Sequence, residues 1–220
     1  MSIKNTLKSI FFKTDKGNAI MPESDVNQVF LAGTVVYKYA PPNGKCTILT
    51  IKSFDGEKAN FPHIVCYQKN KATADKISVG DYVSIRGNVQ SSILKDGTAR
   101  TSVICNEIYH KPENKKMFGE IIYLNRMNIF GDVVNIKQIT PNLTEFTVKT
   151  HVDGRTSIFP VDFYSAAAGD INIGDKVMIN GNVQTVKKTN SFGTISHYEN
   201  YVAFKIQNWT HQNGDLEIGA

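Results

Sequence analysis

The chain has 220 residues, 41% of them hydrophobic, with a formal net charge of +5 and three cysteines. That is enough apolar material for two small cores, and with neither an 18-residue apolar run nor a secretory leader pattern the expectation is a soluble, cytoplasmic protein that makes no membrane contact. Cys46, Cys66 and Cys105 are odd in number and form no Cys-x-x-Cys pair, and the histidines are scattered, so no disulfide, metal site or cofactor is expected.

Residues 1–25 carry Lys4, Lys8, Lys13 and Lys16 around Ile10-Phe11-Phe12, and read as an extension: a basic arm, or a strand for a neighbour's sheet edge. From there Val29–Tyr39, Thr47–Phe54, Phe61–Tyr67, Tyr82–Ser91 and Ala99–Tyr109 are rich in β-branched and aromatic residues. Pro41-Pro42-Asn43-Gly44, Asp55-Gly56 and Asp96-Gly97 mark turns between them, so five strands are predicted. Lys69–Ile77 is too polar for a buried strand and predicts a short helix between the third and fourth strands.

The same pattern then returns. Gly80-Asp81-Tyr82-Val83-Ser84-Ile85-Arg86-Gly87-Asn88-Val89-Gln90 is answered 94 positions later by Gly174-Asp175-Lys176-Val177-Met178-Ile179-Asn180-Gly181-Asn182-Val183-Gln184. Gly33-Thr34-Val35-Val36 and Phe61-Pro62 are answered 98 positions later by Gly131-Asp132-Val133-Val134 and Phe159-Pro160. A repeat of this length is a whole domain rather than a solenoid unit. The expected organisation is therefore an extension (1–25), a first domain (26–110), a linker (111–126), a second domain (127–210) and a short tail (211–220). The expected fold is all-β: two tandem five-stranded OB-fold barrels, each with a short helix between strands three and four. The second helix would lie at Ser165–Ile173.

Leu31-Ala32-Gly33, Pro42-Asn43-Gly44, Phe61-Pro62-His63-Ile64-Val65-Cys66-Tyr67-Gln68-Lys69 and Val79-Gly80-Asp81-Tyr82-Val83-Ser84-Ile85-Arg86-Gly87 occur in the order and spacing of the bacterial single-stranded DNA-binding (SSB) proteins. Residues 28–109 resemble that family almost throughout; residues 127–209 resemble it more loosely, through Gly131, Phe159 and Val177-Met178-Ile179-Asn180-Gly181. The resemblance implies base stacking on Phe61 and Tyr67; Phe54, at the end of the second strand, is a further candidate platform, and His63 and Phe159 are also expected to contact nucleic acid. Strand periodicity puts Phe61, His63, Val65 and Tyr67 on one face and Pro62, Ile64 and Cys66 on the other. Lys38, Lys52, Lys69 and Arg86 are expected to follow the phosphate backbone, and Lys95, Arg100, Lys187 and Lys188 to contact it from two hairpins. Where the family carries an aromatic in these hairpins, the chain has Leu94 and Lys188, and its ending lacks the acidic Pro-Phe tip that recruits partner proteins.

In the second copy Tyr67 is answered by Ser165 at that spacing, and the same pleat would turn Asp162 into the core. Either the strand bulges there, or Phe159, Val161 and Phe163 face the core instead. Residues 1–110 hold 14 Lys and Arg against 9 Asp and Glu, whereas the remainder holds 11 of each, so the basic excess lies wholly in the first half. The reading is a non-enzymatic, sequence-tolerant binder of single-stranded DNA in replication, recombination or plasmid and phage DNA processing, with the first domain dominant and a dimer of two-barrel chains as the assembly. An RNA-binding module is the alternative; an OB-fold nuclease or a scaffolding protein ranks lower.

Overall fold

Alternation of apolar and polar residues makes each strand two-faced, and the chain buries the apolar faces by curling its strands into rings. The computed structural model describes residues 22, 24–56, 58–93, 99–110, 123–165, 170–189 and 195–210. Its first half consists of β1 (Val26–Tyr39), β2 (Cys46–Asp55), β3 (Lys58–Asn60), β4 (His63–Tyr67), α1 (Gln68–Ala74), β5 (Tyr82–Ile93) and β6 (Ala99–His110). The second half contributes β7 (Leu124–Thr140), β8 (Leu143–Val152), β9 (Arg155–Phe163), β10 (Lys176–Thr189) and β11 (Ile195–Asn208). β3 is absent from the sequence expectation, and β7 begins three residues inside the segment read as linker. Of the second expected helix, Ser165–Ile173, residues 166–169 lie outside the described residues, while 165 and 170–173 are described and are not helical.

β1 pairs with β2, β2 with β4, β4 with β6 in parallel, β6 with β5 and β5 with β1, which closes a five-stranded barrel. Pairing in the second half runs in the same order from β7 through β8, β9, β11 and β10 back to β7. β1 and β7 then join the two rings as an antiparallel pair, with Val26 opposite Phe130, Val29 opposite Met127 and Ala32 opposite Leu124. Val29, Leu31, Met127 and Ile129, all fully buried, make the core continuous through this seam.

The repeated motifs mark places where the backbone crowds itself. A Cβ at Gly33 or Gly131 would lie 2.1 or 2.4 Å from the carbonyl oxygen of Lys52 or Lys149, so only glycine lets the first strand bend over the second. Gly87 and Gly181 occupy the bulges of the β5–β6 and β10–β11 hairpins under the same constraint, 2.4 and 2.2 Å from the Ile104 and Val202 oxygens. Asp81 and Asp175 accept from the N–H of Ser78 and Asn172, each at 2.8 Å, and fix the turn before the fourth strand of each ring.

α1 seals the bottom of the first barrel through Ala74, with Ile77 following it, and both are fully buried. Asp75 ends the helix, its carboxylate accepting from Thr47 on β2 and from Lys71 at 2.6 Å. These two partners, Lys71 foremost, hold the Asp75 carboxyl below its ordinary value of 3.8. The three cysteines are free and buried, as small core residues would be. A hydrogen bond with Cys105 and burial push the Cys66 thiol far up.

Candidate nucleic-acid interface

On β2, Leu49, Ile51 and Ser53 are fully buried, which turns Ile48, Thr50, Lys52 and Phe54 to the outer face. Around β4 Pro62, Ile64 and Cys66 are buried, and Phe61 and Tyr67 keep 38% and 44% of their surface exposed, as the sequence implies, but Val65, expected on the outer face, is buried as well. Residues directly opposite across antiparallel strands share a face. The register therefore makes one row of Tyr37, Thr50 and His63 and a second of Tyr39, Ile48 and Val65. Tyr37 and Tyr39 are 57% and 44% exposed. Sequence reasoning missed both, although the alternation Tyr37-Lys38-Tyr39 near a strand end was available as a signal. The bulge between Val35 and Tyr37 is what aims them outward. In the middle of this face lies the Thr50 hydroxyl, buried and without a hydrogen-bond partner among the described residues.

The face is bordered by the other ring's hairpin. Phe61 N–H donates to the Thr185 hydroxyl at 3.0 Å and His63 N–H to the Glu199 carboxylate at 2.6 Å, while the His63 ring nitrogen lies 3.5 Å from the same carboxylate. Lys58 donates to the Gln184 side chain at 3.2 Å. In the opposite direction, Ile158 N–H donates to the Ser91 hydroxyl at 3.0 Å. Exposed Arg100 and Lys187 stand on the two hairpins. Lys95 and the Lys188 side chain lie outside the described residues.

Not every expected cation is available. The Lys38 ammonium donates to the carbonyls of Asp75 and Ile77, at 2.9 and 2.7 Å, and so ties β1 to the end of α1. Arg86 pairs with Glu107 on the surface, an exposed pair of the kind worth little on its own. Lys69 is exposed on α1. Lys52 lies 5.5 Å above the Phe54 ring, and Tyr123 meets that ring edge to face at 4.6 Å. Phe54 thus stands in a small cation–aromatic cluster rather than as an isolated platform.

Phe159 is a correction. It is fully buried and packs edge to face on Tyr201 at 5.8 Å, so it cannot stack on a base. Burial, with Glu199 adding to it, also pushes the Tyr201 phenol well above its ordinary value. The reason Phe159 fails is a one-residue slip. Val35 faces Ile51 and Val133 faces Val148, so the second and third strands repeat at 97 positions, not 98. The backbone bonds agree, since Phe61 and Ile158 make equivalent contacts with the opposite hairpins. A slip of one residue exchanges the faces of a strand. The counterpart of Phe61 is therefore Ile158, that of buried Pro62 is Phe159, and that of Tyr67 is Tyr164, which is 60% exposed. β9 runs without a register shift, Val161 faces the core, and Asp162 points outward to accept from Asn200 at 3.0 Å.

With the register corrected, the two outer faces can be compared directly. Tyr37, Thr50 and His63 become Asn135, Thr147 and Pro160; Tyr39, Ile48 and Val65 become Lys137, Glu145 and Asp162. The second face has lost three aromatics and gained two carboxylates. Among the described residues, no group of three or more His, Cys, Asp or Glu side chains is arranged to hold a metal ion.

No protein-family model and no curated protein matches the chain. Solved structures do. A deletion mutant of the single-stranded DNA binding protein from Thermus aquaticus superposes with a TM-score of 0.62 at 17% identity, over 85% of this chain and 96% of that one. The wild-type Thermus aquaticus protein gives 0.58 at 15% identity, over 84% and 93%. At these identities the likeness establishes architecture alone: the chain has an OB-fold.

Proposed function

We propose that the chain is two OB-fold barrels in tandem that bind single-stranded DNA with little base preference and without catalysis. The observation that carries this reading is the outer face of β1, β2 and β4, where Tyr37, Tyr39, Phe61 and Tyr67 are exposed on one curved surface. Every base offers a π-face, so stacking on such a surface tolerates sequence, and a basic half-chain draws the phosphates toward it. The structural similarity to the Thermus aquaticus single-stranded DNA binding protein supports the same reading. Its natural setting is the protection of strands exposed in replication, recombination or plasmid and phage DNA processing, in the cytoplasm, with two copies of the chain assembling four barrels.

The test is a titration of labelled single-stranded DNA, duplex DNA and RNA of equal length. Single-stranded DNA should bind most tightly, and binding should weaken as salt rises. Tighter binding to duplex overturns the reading, and tighter binding to RNA replaces the substrate. Incubation with Mg²⁺ should leave the oligonucleotide intact.

A further inference from the structure

The outer-face residues of β2 run as a line, Ile48, Thr50, Lys52 and Phe54, and that line ends between the two rings. Phe54, Gly56, Tyr123, Leu124, Asn125 and Arg126 surround an open hollow of about 560 Å³ there, within the size range of small-ligand sites. The near wall belongs to the first barrel and the far wall to β7 and the residue before it. Its shape is held from below, because the Ser53 hydroxyl donates to the carbonyls of Leu124 and Ala32, at 2.8 and 3.1 Å, and fastens the end of β2 to the start of β7.

The groups around this hollow are cations paired with rings. Lys52 covers Phe54, Tyr123 meets Phe54 edge-on, and the Arg126 guanidinium lies 5.4 Å from the Phe204 ring. Phe204 is on β11 and is 56% exposed. On the other side of Arg126 the register places Phe30 and then Arg86, whose charge is paired with Glu107, so the ring of Phe30 extends the band of Arg126 and Phe204 across the seam toward β5. The second ring's repeat-equivalent face, with Glu145 and Asp162, repels phosphate; the band through Arg126 and Phe204 does not.

We propose that a single strand leaving the outer face of the first barrel passes through this hollow, beside Tyr123 and Arg126, and continues onto Phe204. The second ring then engages the same strand, but by a surface different from the one its repeat would assign. The inference rests on the single-strand reading above and extends it: the first barrel holds the primary segment, and the seam carries the strand onward. Arg126 supplies a phosphate contact, Tyr123 and Phe204 supply base contacts.

The test uses the full chain with oligothymidylates of about 8 and about 30 nucleotides, chosen because one OB-fold spans about 4–16. Phe204→Ala should weaken binding of the long strand roughly tenfold while changing the short one less than about twofold. Arg126→Gln should do likewise and lower the salt slope on the long strand by about 0.7, the value for one phosphate contact on a single strand. Should Phe204→Ala melt early, Phe204→Leu keeps apolar bulk, removes the ring and carries the same expectation. Unchanged long-strand affinity and slope would overturn the inference and leave the proposed function standing, as would equal losses on both lengths. Wild-type protein that binds neither length overturns both.

Discussion

Asn27 on β1 and Asn125 on β7 make the same pair of bonds, 98 positions apart. The Asn27 amide donates to the Val89 carbonyl and accepts from the Val89 N–H, both at 2.8 Å; Asn125 does the same with Val183, at 2.8 and 2.9 Å. Each substitutes a side chain for ladder bonds. The β1–β5 pairing stops at Val29 opposite Gly87, because β1 turns away to join β7, and Asn27 bridges the gap that opens beyond it. Asn27 also donates to the Thr150 hydroxyl at 3.1 Å and so reaches across the seam.

Replacing either asparagine by alanine leaves a buried valine N–H and carbonyl unpartnered. Each substitution should cost about 1–3 kcal/mol in a denaturant melt. Asn27→Ala is expected to be the costlier, since it also strands Thr150.

Phe61→Ala and Tyr67→Ala remove exposed rings from the proposed stacking face, and each should weaken single-strand binding by about 1–3 kcal/mol with little change in stability. Phe159→Ala should do the reverse. It empties a fully buried site, at a cost of about 3–5 kcal/mol of stability. Parallel titrations and melts of the three variants distinguish the roles, and a collapse of Phe61→Ala on melting would return that ring to the core.

Tyr37→Ala tests a position that only the register revealed. It should weaken binding of single strands by about 1–3 kcal/mol, while its counterpart variant Asn135→Ala leaves binding unchanged. Equal effects from the two would remove the distinction between the faces.

Asp75 makes the acid limb of the stability curve steeper. Its carboxyl titrates lower in the folded chain than in the unfolded one, because Lys71 and Thr47 bond the charged form. The resulting stabilisation is fully present above the ordinary carboxylate value and is lost as pH falls through the lower, folded value. Thermal melts from about pH 6 to about pH 2 should therefore show a shallower acid decline for Asp75→Asn than for the wild type.

Cys66 should resist thiol reagents in native buffer. It is fully buried and hydrogen-bonded to Cys105, so the reactive thiolate is scarce until the barrel opens. Labelling that proceeds at the rate of unfolding is the expected result; rapid labelling of Cys66 in the folded protein would contradict it.

The amino-acid sequence by itself determined the main strands, though not β3, and their repetition. Alternation placed Ile64 and Cys66 inward and Phe61 and Tyr67 outward, because the strand period is fixed by backbone geometry and reads directly from residue order. Repeated Gly33/Gly131 and Gly87/Gly181 announced two copies of one module, since each glycine answers a local backbone collision. Tertiary structure alone decided which residues correspond. The match of Phe61-Pro62 with Phe159-Pro160 is real as letters, but pairing with β2 and β8 sets the register, and a one-residue slip puts Phe159 in the core and makes Tyr164 the partner of Tyr67. It alone also placed Tyr37 in one row with Thr50 and His63, turned Lys38 onto the end of α1, and brought Phe54, Tyr123, Arg126 and Phe204 together at the seam. Those contacts join residues far apart in sequence through strand pairing, and pairing depends on the whole core rather than on any local run of residues.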